Sequence, residues 1–363
     1  MTAANRYTGL LQRYAERLPV QAGMRHISLC EGNTPLIQLK NIPTIIAKDV
    51  TIFAKFEGLN PTGSFKDRGM TMAVTQAVFE GSQAIICAST GNTSASAAAY
   101  AARAQIKAFV LIPEGKIAMG KLAQAMMHGA EIIQIKGNFD DGMRLVKEVA
   151  ETAPVSIVNS INPFRIEGQK TAAFEIIDEL GFCPDYHCLP VGNAGNITAY
   201  WKGYSEYAAT TNGIQAVVDK TPVMCGYQAT GAAPFIKGEM IDYPETVATA
   251  IRIGHPQSWD YAWQANKQSG GWFEAFTDAE ILKTQKLLTE KEGVFCEPAS
   301  AVSVAGAIKD ITSGKIPEGS VVVCTLTGNG LKDPDTAIGQ CDTNPLAIEA
   351  ERSAVEKVIL GVL

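Results

Sequence analysis

The sequence has no apolar run long enough to cross a membrane, no block of lysine and arginine, and no Cys-x-x-Cys pair. A transmembrane helix needs about 20 mostly apolar residues, and no apolar signal core follows Met1, so we expect neither a membrane-spanning nor a secreted protein. The net charge of −6 over 363 residues provides no basic face for nucleic acid or an anionic membrane. We therefore expect a cytoplasmic protein with neither of these as a partner.

The cysteines are scattered rather than grouped. Cys183 and Cys188, with His187 between them, have a spacing that suits zinc poorly, so we expect no metal site. Free thiols throughout the chain fit a reducing compartment. Three lie in apolar, strand-like runs, where a free thiol packs as a small hydrophobic group: Cys87, Cys225 and Cys324.

The sequence also lacks internal repeats, low-complexity tracts and flexible linkers. From residue 50 onward, short apolar strands alternate with helical segments, which predicts an α/β fold with doubly wound, mostly parallel sheets. Residues 1–30 contain an amphipathic helical pattern, and residues 230–272 carry no regular pattern. The strands are predicted at 50–56, 84–88, 108–112, 131–135, 155–158, 186–191, 223–227 and 320–326.

A turn at residues 60–65 separates the first of these strands from a helix that contains Lys66. Ser64 and Asp67 have the spacing of a capping box, so we expect Ser64 to be the helix N-cap. Lys66 then lies in the first turn, where the helix dipole and any loss of water lower the pKa of an amine. Such a lysine suits bonding to an aldehyde cofactor. The simpler alternative is a solvated surface lysine.

Two further strand-to-helix turns are rich in small residues. The turn at residues 89–94 presents backbone N–H groups and the positive end of a helix dipole, which together favour an anion. The turn at residues 191–197 has glycines that permit close approach to a phosphate, and it lacks both the Walker and the dinucleotide-binding patterns. Taken alone, either turn could simply be a well-capped helix start.

The last two motifs lie at 158–171 and 324–334. Arg165 can bind a phosphate through two parallel hydrogen bonds, and Asn159 and Ser160 add neutral donors. The alternative is that Arg165 pairs with Glu167 or Glu175 at the surface. The second motif ends a buried strand at a sharp turn around Thr327, which by itself fits an ordinary capped strand end.

Taken in order, the motifs between residues 31 and 334 resemble those of the fold type II pyridoxal-phosphate enzymes, the tryptophan synthase β family. The run Asn159-Ser160-Ile161-Asn162-Pro163-Phe164-Arg165 through Gly168-Gln169-Lys170-Thr171 is similar to the threonine synthase branch of that family. The resemblance implies two doubly wound domains with the cofactor, pyridoxal 5'-phosphate, in the cleft between them. The small mobile domain would comprise residues 58–155, and the large domain 1–57 and 156–363.

The resemblance also implies roles for individual residues. Lys66 would carry the cofactor as a Schiff base and act as the catalytic base, and Thr327 would face the ring nitrogen. A hydroxyl is a neutral partner that cannot hold this nitrogen protonated as an aspartate would. The ring hydroxyl would bind Asn92, and the cofactor phosphate would bind the loop Gly192, Asn193, Ala194, Gly195 and Asn196.

The implied reaction converts O-phospho-L-homoserine and water to L-threonine and phosphate, carried out by a homodimer. The substrate carboxylate would bind Ser89, Thr90, Asn92 and Thr93, and the substrate phosphate would bind Asn159, Ser160, Arg165 and Lys55. Two alternatives stay open. A threonine or serine dehydratase of the same fold needs no second phosphate site, and a non-catalytic relative would have lost the cofactor.

Overall fold

The computed structural model describes residues 6–114, 119–137, 139–210, 213–341 and 345–362. The strands are β1 Leu36–Leu39, β2 Thr51–Phe56, β3 Ala84–Ala88, β4 Lys107–Pro113, β5 Glu131–Ile135, β6 Val155–Ile157, β7 Tyr186–Pro190, β8 Val223–Ala229, β9 Trp272–Phe276 and β10 Val321–Leu326. The helices are α1 Leu10–Arg13, α2 Asn41–Ile45, α3 Lys66–Phe79, α4 Asn92–Ala104, α5 Met119–Met127, α6 Phe139–Thr152, α7 Pro163–Leu180, α8 Gly195–Tyr207, α9 Pro234–Lys237, α10 Trp259–Ser269, α11 Asp278–Glu292, α12 Pro298–Thr312, α13 Pro334–Ile338 and α14 Arg352–Leu360.

The strands form two sheets. A six-stranded sheet has the order β1-β2-β10-β7-β8-β9, and a four-stranded sheet has the order β5-β4-β3-β6. Only the β1–β2 pairing is antiparallel among these strands. The prediction of a doubly wound α/β fold with mostly parallel sheets is therefore confirmed.

Helices cover both faces of each sheet, as parallel strands require. Helices α11 and α12 pack on one face of the six-stranded sheet, and α7, α8 and α10 pack on the other. Helices α3 and α4 cover one face of the four-stranded sheet, and α6 covers the other. Strand β6 pairs with β3, so the four-stranded sheet extends two residues past 155. The division into domains stays a prediction.

Helices α3 and α7 approach unusually closely because each places a glycine at the contact. A Cβ atom added to Gly168 would lie 1.8 Å from the carbonyl oxygen of Arg68 and 3.0 Å from the Cα of Gly69. A Cβ atom added to Gly69 would lie 2.9 Å from the carbonyl oxygen of Arg165. The two glycines thus bring the helix that begins at Lys66 against the helix that carries Arg165.

Three local predictions were wrong. The expected amphipathic helix in residues 1–30 is only the four residues of α1, followed by a short turn at 15–17. The sequence pattern predicts a helix from Glu167 to Leu180, whereas helix α7 begins four residues earlier, at Pro163, because the Asn162 side chain caps it by accepting from the Phe164 N–H. The irregular section 230–272 contains helix α10 and leads directly into the edge strand β9.

None of the helices in the described ranges combines the length and the apolar character that a membrane span requires. The cysteines all lie in described residues and all are free thiols. Within the same residues, no cluster of histidine, cysteine or carboxylate side chains has a geometry suited to a metal ion.

Candidate active site

The Lys66 turn is hydrogen-bonded to the turn that follows β10. The Phe65 N–H donates to the carbonyl oxygen of Thr327 at 2.9 Å, and the Asn329 N–H donates to that of Gly63 at 2.9 Å. Gly63 has φ 85, a conformation that glycine adopts without steric cost. Two segments more than 250 residues apart in the sequence are therefore fixed side by side, with Lys66 at the start of α3 beside Thr327.

The expected capping box does not form. The Asp67 carboxylate accepts from the backbone N–H of Thr62 at 2.7 Å, from the Thr62 hydroxyl at 2.6 Å and from the Ser96 hydroxyl at 2.6 Å. Ser64 only accepts a long bond from the Lys66 N–H, 3.4 Å. Asp67 therefore ties the preceding turn to helix α4, because in the interior those donors are its nearest partners. Burial raises the pKa of this carboxyl to about 6.

The Lys66 side chain is partly exposed, but its ammonium has lost much of its contact with water. Loss of water lowers the pKa of Lys66 to about 7, and the positive charge of Arg165 acts in the same direction. The carboxyl group of Glu297 opposes both. The expectation of a lowered lysine pKa agrees with this result, and burial is its largest cause. At neutral pH a substantial fraction of this amine is neutral and therefore nucleophilic.

The turn at residues 89–94 lies at the carboxyl end of β3. Its Ser89 hydroxyl accepts from the Gly91 N–H at 3.2 Å, and Ser94 donates to the Gly91 carbonyl oxygen at 2.7 Å. Thr90 and Asn92 are partly exposed while Thr93 is buried. This leaves polar side chains beside the first turn of α4, whose N–H groups have no partner within the helix. The Asn92 amide donates to Glu297 at 3.1 Å.

The small-residue turn at 192–196 leads from β7 into α8. Ala194 has φ 64, which a non-glycine residue rarely adopts, and it immediately precedes the helix. A Cβ atom on Gly192 would lie 3.0 Å from the Cα of Ile251. Asn193 accepts from the backbone N–H groups of Gln257 and Ser258.

A further hydrogen bond fixes this turn, because the Asn196 side-chain amide donates to the Pro190 carbonyl oxygen. Strands β7 and β10 are parallel neighbours. Gly192, Gly195 and Thr327 therefore lie at the same edge of the sheet.

Arg165 is buried, and no carboxylate among the residues that the structure describes neutralises its charge. Its Nη1 donates to the Val158 carbonyl oxygen at 3.2 Å, and Nε has no hydrogen-bond partner among the described residues. Burial lowers the pKa of Arg165 to about 10. The alternative of a surface ion pair is wrong, since Glu167 binds Lys170 and Lys202, and Glu175 binds Arg68 and Lys55.

The two neutral side chains near Arg165 lie beside the carboxyl end of β3. Asn159 exchanges two hydrogen bonds with the backbone of Ala88, both 3.0 Å long. Its amide is thus committed to holding the 158–165 segment against the strand, next to the turn at 89–94. Ser160 follows it and is partly exposed.

Lys55 does not provide the second free cation that the sequence suggested. Its ammonium is fully buried and donates to Glu175 at 2.9 Å and to the Thr34 carbonyl oxygen at 2.6 Å. Glu175 and Glu57 also accept hydrogen bonds from Arg68. The two cations and two carboxylates form a compact, charge-balanced group under helix α3, so Lys55 contributes to the framework rather than to a phosphate site.

Sequence reasoning missed Glu297 and Ser300, which contact Thr327. The Thr327 hydroxyl donates to Glu297 at 3.1 Å and lies 2.8 Å from the Ser300 hydroxyl. Glu297 is buried just before α12, and the signal in the sequence was a single carboxylate between Cys296 and Pro298. An acidic residue ahead of a proline is also an ordinary helix start, so the sequence alone could not separate the two possibilities.

Comparison with known proteins identifies the class to which this arrangement belongs. A family model described as pyridoxal-phosphate dependent enzyme matches residues 27–328. The structure of maize serine racemase is similar, with a TM-score of 0.73 and 20% identity over 92% of this chain and 97% of that one. The chain belongs to the pyridoxal-phosphate dependent enzyme family.

Relatives with higher sequence identity show which branch of this class the chain belongs to. The threonine synthase of Synechocystis sp. is 57% identical over 93% of this chain and 86% of the relative. That of Mycobacterium bovis is 60% identical over 92% of this chain and 91% of the relative. Within the larger class, the chain is a member of the threonine synthase family.

Proposed function

We infer that the chain catalyses the conversion of O-phospho-L-homoserine and water to L-threonine and phosphate with pyridoxal phosphate as cofactor, the last step of threonine biosynthesis. The relatives named threonine synthase support this over nearly the whole chain. The observation that carries the choice of substrate is Arg165, a buried guanidinium beside Lys66 whose charge no described carboxylate neutralises. A buried cation without an anion is costly, and a phosphate of the substrate would offset that cost.

The residues present fit the cofactor. Lys66 offers an amine that is partly neutral at pH 7, and the turn Gly192–Asn196 offers two glycines and the start of helix α8. When bound, pyridoxal phosphate supplies an aldehyde that condenses with amines and a ring that stabilises negative charge at carbon. We propose that Gly192, Asn193, Ala194, Gly195 and Asn196 hold its phosphate, that Asn92 binds the ring hydroxyl and that Thr327 faces the ring nitrogen.

The substrate has two anionic ends, and the site has two places that suit them. We propose that its carboxylate binds the turn formed by Ser89, Thr90, Asn92 and Thr93, where the first N–H groups of α4 are available. Its phosphate would bind Arg165 with Ser160 and the Asn159 region. Because Lys55 is neutralised by Glu175, Arg165 supplies the main positive charge for this second phosphate.

Lys66 also carries the proton transfers in this proposal. Its neutral amine removes the Cα proton, passes it to an oxygen of the substrate phosphate, and then removes a proton from Cβ. The Cγ–O bond breaks, hydrogen phosphate leaves, and Lys66 returns the Cβ proton to Cγ. Water then adds its hydroxyl at Cβ, and the remaining proton of that water reaches Cα through Lys66. A lysine pKa near neutrality suits an amine that must both accept and release protons.

We propose that residues 58–155 form the small domain and that residues 1–57 and 156–363 form the large one. The two separate sheets support this division, and the pairing of β6 with β3 favours a boundary slightly later than 155. Movement of the small domain would close the cleft and exclude water until phosphate has left.

We further propose a homodimer in the cytoplasm. Helix α14 supports a second copy because it buries none of its residues and exposes apolar side chains such as Ile359 and Leu360. A nine-residue helix is barely stable alone in water. Light scattering of the purified chain, with and without residues 345–363, tests this, and a monomeric mass for the full chain would exclude it.

Release of phosphate and threonine from O-phospho-L-homoserine tests the proposed reaction. The wild type should release both in equal amounts, and Lys66→Ala should release neither. Lys267→Ala, an exposed lysine at the end of α10, is the control and should behave as wild type. A protein that binds the cofactor but forms ammonia from threonine or serine instead would be a dehydratase, and one that binds no cofactor would be a non-catalytic relative.

A further inference from the structure

A buried carboxylate, Glu297, joins two of the proposed cofactor contacts. One oxygen accepts from the Thr327 hydroxyl at 3.1 Å, and the other accepts from the Asn92 amide at 3.1 Å. A Cβ atom on Gly328 would lie 2.5 Å from the carboxyl carbon, so only glycine leaves room for Glu297 in this position. The carboxylate thus spans the gap between α4 and the end of β10.

Among the described residues, only Asn92 and Thr327 donate hydrogen bonds to the Glu297 carboxylate. It occupies the N-cap position of α12 but makes no side-chain capping hydrogen bond. Burial raises the pKa of Glu297, which reflects a cost of keeping the charge there. Asn92, Thr327 and the ammonium groups of Lys66 and Lys332 all favour its ionised form.

The hydrogen bonds around Thr327 have a definite direction. The Gly328 N–H donates to the Ser300 oxygen at 3.1 Å, so the Ser300 hydroxyl is free to donate to Thr327, 2.8 Å away. Thr327 then uses its only hydrogen on Glu297. If Thr327 instead donated to Ser300, the Ser300 hydroxyl would have to donate to the Gly328 carbonyl oxygen. That oxygen is 3.5 Å away, which is long for a hydroxyl hydrogen bond.

The same carboxylate also fixes the orientation of Asn92. A carboxylate oxygen can only accept, so the Asn92 nitrogen must point to Glu297. The second hydrogen on that nitrogen is then available as a donor. Glu297 therefore determines what each of its two neighbours can offer to a third group: a lone pair from Thr327 and an N–H from Asn92.

We propose that Glu297 is a positioning residue that makes Thr327 a hydrogen-bond acceptor toward the ring nitrogen, so that the bound cofactor keeps a proton on that nitrogen. This inference rests on the proposed placement of the ring between Thr327 and Asn92. It reverses the expectation from sequence, in which a lone hydroxyl leaves the nitrogen unprotonated. A protonated ring withdraws electrons more strongly and favours loss of the Cα proton.

The ring nitrogen can be observed directly. Apoprotein is reconstituted with pyridoxal phosphate labelled with ¹⁵N in the ring, and the ¹⁵N chemical shift distinguishes a protonated from an unprotonated nitrogen without any turnover. We expect the protonated value in the wild type and a shift to the unprotonated value in Glu297→Gln, whose amide can no longer accept from both neighbours. Glu31→Gln, which removes another buried carboxylate outside the site, should leave the shift unchanged.

A second pair of variants keeps the test decisive if Glu297→Gln does not fold. Thr327→Val removes the acceptor and should give the unprotonated value, whereas Thr327→Ser keeps the hydroxyl and should retain the protonated one. An unprotonated nitrogen in the wild type overturns the inference, and so does a protonated nitrogen in a folded Glu297→Gln or Thr327→Val protein. Failure to release threonine would instead count against the proposed function, independently of the shift.

Discussion

The Arg68 guanidinium and the Glu175 carboxylate are joined in the protein interior by two parallel hydrogen bonds of 2.8 and 2.6 Å. Arg68 lies two residues after Lys66, and Glu175 lies on α7. Burial alone would raise the pKa of Glu175, but the charges of Arg68 and Lys55 outweigh it and hold that pKa well below its usual range. The ion pair therefore fixes the start of α3 to the helix that also carries Arg165.

Removing the Glu175 charge should destabilise the fold strongly. Glu175→Gln leaves Arg68 and Lys55 with one carboxylate between them, and breaking a buried pair typically costs about 3–5 kcal/mol. Denaturant unfolding measures the change, with Glu179→Gln on the exposed face of the same helix expected to stay within about 0.5 kcal/mol. A small effect for Glu175→Gln would mean that the remaining charged side chains rearrange or that water enters to solvate them.

The same ion pair predicts a pH dependence. The Glu175 pKa is lower in the folded than in the unfolded state, so its contribution to stability is complete above the unfolded pKa of about 4.3. It is lost as the pH falls from there toward the folded pKa. Unfolding free energies measured between pH 6 and 3 should therefore fall more steeply in the wild type than in Glu175→Gln.

Cofactor uptake should follow the titration of Lys66. The folded pKa is about 7 instead of 10.5, so the reactive neutral amine is gained as the pH rises through about 7. The rate at which apoprotein combines with pyridoxal phosphate, followed by absorbance, should rise and level off around that value. Arg165→Gln should move the midpoint upward and Glu297→Gln downward, because their charges act in opposite directions. A midpoint near 10 in the wild type would contradict a desolvated Lys66.

Substitution of Arg165 should lower kcat/KM for the substrate while leaving cofactor binding unchanged. Arg165→Lys keeps a charge but loses the two parallel donors, and each charge-assisted bond lost costs about 1.5–3 kcal/mol, or about tenfold to a hundredfold in kcat/KM. Bound cofactor per chain should stay at the wild-type level. Arg144→Lys, on the exposed face of α6, is the matched control. Unchanged kcat/KM in Arg165→Lys would show that the substrate phosphate binds elsewhere.

The glycine contact between α3 and α7 should tolerate no added methyl group. A Cβ atom at Gly168 would lie 1.8 Å from the Arg68 carbonyl oxygen, so Gly168→Ala must push the helices apart at a cost of at least about 1–3 kcal/mol. Gly142→Ala in α6 provides the contrast, because its nearest neighbour would be 3.5 Å away. That variant should be stabilised by about 0.5–1 kcal/mol in the same unfolding measurement. Equal changes in the free energy of unfolding for Gly168→Ala and Gly142→Ala would argue against the close approach of α3 and α7.

The parts of the site that sequence could predict are local. The turns around Lys66, Asn92 and Gly192 each join a strand to the helix that follows, so their residue spacing carries the information. Thr327 and Arg165 were singled out through the resemblance of whole motifs. For the three turns, the residues that define each turn lie within a few positions of one another.

The parts that sequence missed depend on distant partners. Asp67 has the spacing of a capping residue, but Ser96 and Thr62 compete for it once α4 packs against α3. Lys55 looked like a free cation because Glu175, 120 residues away, could not be identified as its partner. The role of Glu297 likewise depends on its contacts with Thr327 and Asn92, which are distant in the sequence.

The placement of the thiols gives the two sheets separate chemical reporters. Cys30 and Cys341 are exposed and should react with a thiol reagent at once, whereas the strand thiols can react only when the protein opens. The rates at which these thiols are labelled, measured by peptide mass spectrometry, would therefore report how often each sheet opens in the native protein. Equal rates would mean that both sheets open as one unit, and unequal rates that they open separately. The reporters are Cys87 in the four-stranded sheet and Cys188, Cys225 and Cys324 in the six-stranded sheet.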